Sequence, residues 1–252
     1  MFTKINNFMI TNVLNINSYI FLPCMLLLYR YSYKGVNKLL QNNSLYDTLS
    51  TERKNYIIFN ISKACMLSYI SYLIMLGYNR NILRITSVEW HHQTLLKNIT
   101  GLYAITDIVP LFVDRKKMMT STVIHHVCVA LAVTGILNSN LENIGLSNAI
   151  IIYGLFSSLA FIVNGYLGSR FLIKNKTILK YIKKITFMVY IMCCSVNWSI
   201  QSVYLSSYMK KLYTTYINNT SNLGDYTYLP LYLSFLYFWI SDDIILMRYL
   251  LK

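Results

Sequence analysis

An all-α integral membrane protein, a bundle of about seven transmembrane helices around an inner cavity, is the fold class that three features of this 252-residue sequence predict. The first is composition: 55% of the residues are hydrophobic and only 13% are charged, against about 25% charged in an ordinary soluble domain. The second is the length of the apolar segments, which approach or exceed the roughly 18 to 20 residues a helix needs to cross the hydrocarbon core. The third is the lack of strict polar–apolar alternation in stretches such as 64–78 and 188–204. A transmembrane barrel would instead be built from alternating segments of about ten residues.

Spans are predicted at 13–31, 56–78, 94–113, 119–138, 144–167, 185–208 and 228–250. The first contains "SYIFLPCMLLLYRY", whose bulky continuation offers no small-residue cleavage site, so it is expected to stay as an anchor. The third and fourth are joined by the short turn "DRKKM", which makes them antiparallel neighbours. Residues 1–50 form an N-terminal region with the first helix, and residues 51–252 a six-helix membrane domain. There is no linker-like stretch, no fixed-period repeat and no room for a second domain. Cys24, Cys65, Cys128, Cys193 and Cys194 all fall inside spans, where thiols behave as small apolar groups, so no disulfide framework is expected.

Lys and Arg favour the cytosolic side of a membrane, and their distribution here is lopsided. Arg30, Lys34, Lys38, Arg53 and Lys54 lie in the first loop, and Arg115, Lys116 and Lys117 in the third. Arg170, Lys174, Lys176, Lys180, Lys183 and Lys184 lie in the fifth, with Arg248 and Lys252 at the end. These sixteen of the 23 basic residues share one side, which places the C-terminus in the cytosol and the N-terminus in the lumen. The net charge of +14 thus serves topology and anionic lipid surfaces, and nucleic-acid binding is excluded. The overlapping sequons at Asn218 and Asn219 would then face the lumen, where an Asn-rich chain also produces them by chance.

Ionisable side chains inside a bilayer are costly and usually face the bundle interior, so their depths carry information. Lys63 lies seven residues from the cytosolic start of its span and Asp107 six from its cytosolic end. His125 and His126 lie six or seven residues into the next span, and Asp242 and Asp243 about eight from the last cytosolic end. At 1.5 Å rise per residue, all six fall about 9 to 12 Å below one membrane edge. The short turn sets Asp107 level with the two histidines. Adjacent residues on a helix point about 100° apart, so both imidazoles are not expected to aim at one small target. One is expected to face the cavity while the other bonds a carboxylate that fixes its tautomer. Such groups can also serve only as pairing between helices.

Other polar features say less. His91 and His92, beside Trp90, fall at the lumenal interface. Tyr228, Tyr232 and Tyr249 fit an aromatic belt, and Lys97 lies near enough to a lumenal end to snorkel. The four histidines form two adjacent pairs near opposite faces, without the i, i+4 spacing that places ligands on one helical face, so neither a metal nor another cofactor is expected. A receptor rests on helix count alone. A transporter lacks the paired Gly/Pro-broken segments of two halves.

"GLYAITDIVPLF", a short basic turn and "MMTSTVIHHVCVALAV" together resemble the central hairpin of TLC-domain proteins, the membrane family that includes ceramide synthases. "YGLFSSLAFIVNGYLGSRF" is loosely similar to the following family helix. The resemblance spans about residues 50 to 250 and implies a bundle handling acyl lipids in the endoplasmic reticulum or a related membrane. By this resemblance His125 and His126 lie in the cavity. Ceramide synthases carry a His-Asp and a further Asp one helix later, whereas residues 144–170 here contain neither histidine nor acid. That departure favours the branch concerned with lipid composition, trafficking or sensing over the synthases.

Two functions follow as expectations. In one, the belt shapes a head-group pocket for membrane lipids, a sphingoid base or an acyl chain, with Lys63 and Asn164 touching lipid. In the other, His125 or His126 is the general base or acyl carrier of an acyl-CoA-dependent transferase, oriented by Asp107, Asp242 or Asp243.

Overall fold

The computed structural model describes residues 16–79, 93–113, 118–138, 146–218 and 223–252. Every regular element among them is helical. In chain order these are α1, Ser18–Leu40; α2, the single turn Ser44–Asp47; α3, Thr51–Asn79; α4, Gln93–Val113; and α5, Thr120–Asn138. They continue with α6, Leu146–Ser158; α7, Phe161–Ser169; α8, Lys176–Ile217; and α9, Leu223–Leu251. Asparagines start several of them. Asn17 accepts from the Tyr19 amide, Asn43 from Leu45 and Asn175 from Thr177 and Ile178, supplying acceptors for first-turn amides that have no partner within the helix.

Among the described residues, a helix lies in each of the seven predicted segments, with three differences. Helix α1 runs on to Leu40, so Arg30, Lys34 and Lys38 are helical rather than looped. The fifth segment is broken: α6 and α7 meet at a 44° bend. Neither Gly nor Pro marks residues 159–160, but Ser71 Oγ of α3 donates to the Ser158 carbonyl oxygen at 2.8 Å and satisfies this buried helix end. The sixth is a 42-residue helix about 63 Å long, twice the roughly 30 Å hydrocarbon core. Lys176, Lys180, Lys183 and Lys184, expected in a loop, form its first turns.

Among the described residues, four helices are long and apolar enough to cross a membrane: Thr51–Met75, Gln93–Phe112, Thr120–Asn138 and Leu229–Leu251. The bent pair Ala149–Ser158 and Phe161–Ser169 makes a fifth if it is one span. Helices α1 and α8 fall short of that measure. Basic residues occupy the second half of α1 and both ends of α8.

The main core draws Ile70 from α3, Leu102 from α4, Val129 from α5, Tyr153 from α6 and Trp239 from α9, with Phe21 and Tyr29 of α1 packed into it. The N-terminal helix is therefore part of the bundle. Helix α7 lies against α3 so closely that a Cβ on Gly168 would meet Ile61 Cγ1 at 2.7 Å and the Ile57 carbonyl oxygen at 3.2 Å. This approach holds Lys63 of α3 and Asn164 of α7 beside one interior space.

Candidate functional site

Side chains from four helices meet around Asp107, which has no solvent exposure. The Lys63 ammonium of α3 donates to Asp107 Oδ1. From α5, His126 Nδ1 lies 3.2 Å from the same oxygen and His125 Nε2 lies 3.9 Å from Oδ2. The other nitrogen of His125, Nδ1, is 3.5 Å from Asp242 Oδ2 on α9. The His126 approach lacks the alignment of a hydrogen bond, so both Nδ1 atoms and Asp107 Oδ2 are buried without one.

As expected, one imidazole, His125, faces the cavity while the other, His126, meets a carboxylate at 3.2 Å; the approach of His125 Nε2 to the same carboxylate, at 3.9 Å, was not expected. Their rings stand edge to face at 84°, with centroids 5.4 Å apart. The carboxylate approaches from the facing helix α4 and lies within reach of both. Asp107 and one nitrogen of each histidine lie within 4.8 Å of one another, an arrangement that fits a metal ion. The sequence argument against a metal considered ligands from one helical face only.

The adjacent acids separate. Asp242 faces His125, whereas Asp243 accepts from Tyr153 at 2.7 Å, from Tyr190 at 2.6 Å and from the Trp198 indole at 3.4 Å. Three donors from α6 and α8 compensate the cost of burying this carboxylate. Both acids border a cavity of about 100 Å³ lined also by Lys63, His125, Tyr103 and Asn164. Beyond it lies an apolar slot of about 20 Å³ bordered by Val129, Ala132, Val133 and Trp239. His125, Tyr103 and Tyr153 border both spaces.

Lys63, His125, Asn164, Asp242 and Asp243 line this cavity, whereas Asp107 and His126 do not: Asp107 lies behind Lys63 and His125, and His126, expected in the cavity with its neighbour, packs against Asp107. The tyrosines were missed. Tyr103, Tyr153 and Tyr190 give no distinctive signal among 23 tyrosines. Tyr232, expected in an interfacial belt, is buried and its hydroxyl donates to Gln201. Asn197 and Gln201, one helical turn apart, join α8 to the Tyr153 and Ala149 carbonyls of α6, a spacing the sequence does display.

Lys97 donates to the Leu137 carbonyl at 3.1 Å, where the C-terminal end of α5 favours a cation. Tyr249 is exposed and lies under the Arg170 guanidinium. All five cysteines are free. His91, His92, the basic turn 115–117, the Tyr228 side chain and sequon residues Asn219 and Thr220 lie outside the described residues. No family model, curated protein or solved structure matches this chain.

Proposed function

We propose that this chain is a seven-helix, TLC-type multi-pass membrane protein of the endoplasmic reticulum or a related membrane, which binds acyl lipids in its interior for sensing, trafficking or membrane-composition homeostasis. One observation carries this reading: a polar chamber and an apolar slot meet at His125. An acyl lipid has the same division, a polar end joined to a hydrocarbon chain. Lys63, Asn164 and Asp242 would bond the polar end, and Val129, Ala132 and Trp239 would take the start of the chain. Exposed Ile185, Met188, Met192, Val196 and Val203 on α8, and exposed Ile20, Leu27 and Leu28 on α1, support counting these helices as the remaining spans, since large unpartnered apolar surfaces mark contact with lipid. The basic bias supports a cytosolic C-terminus.

Mass spectrometry of lipids retained after purification in mild detergent tests the reading. The wild-type chain is expected to carry a defined acyl lipid. Ala132→Phe, which fills the slot, is expected to reduce retention at least tenfold or shift it to shorter chains, with the protein still monodisperse. A wild-type preparation without lipid, or unchanged lipid in the variant, overturns it.

A second reading is favoured by the placement of His125 between two carboxylates. In an acyl-CoA-dependent transferase, His125 would take the proton of an amine or hydroxyl, for instance of a sphingoid base, as that group attacks the thioester carbonyl. Coenzyme A would leave as the thiol. Asp242 would orient the imidazole. Turnover of acyl-CoA with a long-chain base by wild type, lost in His125→Ala, supports this reading; no turnover by wild type removes it.

A further inference from the structure

We infer that Asp107, His125 and His126 form a site for a first-row divalent transition metal, with Asp242 as the outer partner of His125. The inference does not depend on whether the cavity holds a lipid. It begins with unmet bonding capacity. Asp107 is fully buried, yet Oδ2 makes no hydrogen bond, and neither does Nδ1 of either histidine. Leaving such groups unpaired in a low-dielectric interior is costly.

Geometry gives two of these atoms, Asp107 Oδ2 and His126 Nδ1, a common purpose with His125 Nε2. Two imidazole nitrogens and a carboxylate oxygen within 4.8 Å of one another are the donor set of a two-histidine, one-carboxylate site. Metal–ligand bonds of 2.0–2.1 Å set tetrahedral ligands about 3.3 Å apart. His125 Nε2 is 3.9 Å from Oδ2, the oxygen that Lys63 leaves free, and His126 Nδ1 lies 3.2 Å from the neighbouring Oδ1, so modest side-chain rotations bring both nitrogens to an ion on Oδ2. With Nε2 of His125 on the ion, its Nδ1 faces Asp242 at 3.5 Å. That is the carboxylate–histidine–metal arrangement that fixes tautomer and ring orientation. His125 also borders the chamber, leaving a coordination position open to water or a ligand.

Charge points the same way. The cluster sets one ammonium, Lys63, against the carboxylates of Asp107, Asp242 and Asp243. Acidic side chains thus outnumber the ammonium in this interior, a setting that favours a cation. Lys63 occupies Oδ1 and leaves Oδ2 free, so it competes with the ion electrostatically without filling its place.

The test uses the full chain, purified in detergent through a tag free of histidine, stripped with chelator and titrated with Co²⁺ alone. Wild type is expected to bind one Co²⁺ per chain, with the visible absorption of a low-coordinate nitrogen–oxygen site. His126→Gln and Asp107→Asn should each weaken binding at least tenfold, and Asp242→Asn about 10- to 100-fold. Lys63→Met should tighten binding, which a purely structural lysine would not do. If the variants do not fold, wild type decides alone through stoichiometry and absorption. Substoichiometric Co²⁺ without a visible band, or equal binding by wild type and a folded His126→Gln chain, overturns the inference. Lipid retention measured on the chelated protein reports on the lipid reading separately.

Discussion

Lys63→Met is expected to destabilise the metal-free chain by about 3–5 kcal/mol, because removing one partner of a buried ion pair leaves the other charge uncompensated. Asp107 is fully buried, and Lys63 supplies its one hydrogen bond from a cationic group. Methionine retains most of the lysine stem's volume and packing, so the loss reports charge rather than a cavity. Equilibrium unfolding in mixed micelles, followed by tryptophan fluorescence with chelator present, gives the value. A loss below about 1 kcal/mol would place the pair in a screened, surface-like setting.

Asp243→Leu is expected to be comparably damaging, by about 3–5 kcal/mol. It leaves the Tyr153 and Tyr190 hydroxyls and the Trp198 indole without their acceptor, and each stranded buried donor costs about 1–3 kcal/mol. Tyr190→Phe removes one bond to a charged acceptor and should cost about 1.5–3 kcal/mol. The order Leu over Phe distinguishes a carboxylate held by several donors from one that merely fills space. The same unfolding assay measures both. Equal losses for the two variants would mean that Tyr190 alone supports Asp243.

These two side chains also show what the sequence discloses. The common level of Lys63, Asp107, His125 and His126 was legible because a helix converts residue count into distance at a fixed rise. Their convergence needed the antiparallel α4–α5 hairpin, which the short basic turn implied. The separate fates of Asp242 and Asp243 were not legible. Adjacent positions point in different directions, but only the packing of α6 and α8 against α9 decides what each direction meets. The approach of His125 to the carboxylate that His126 meets was not legible, for a related reason. A 100° divergence excludes a target on one helical face, not one held between two rings by another helix.

Helix ends were obscured where charge and structure disagree. The run "KYIKK" has the charge of a cytosolic loop yet continues α8 without interruption, since lysine is a good helix former. The break between α6 and α7 carries no turn residue at 159–160, and its compensating bond comes from Ser71, far away in sequence. No local pattern reports such a contact.

The central claim is that ionisable side chains from separate helices meet in one interior space shielded from lipid tails. A double-mutant cycle between Lys63 on α3 and Asp107 on α4, using Lys63→Met and Asp107→Leu with chelator present, tests it most directly. The paired substitutions should be far less damaging than the sum of the single ones, with a coupling of about 2–3 kcal/mol. Additive losses, within about 0.5 kcal/mol, would show that the two residues do not meet and would contradict the account.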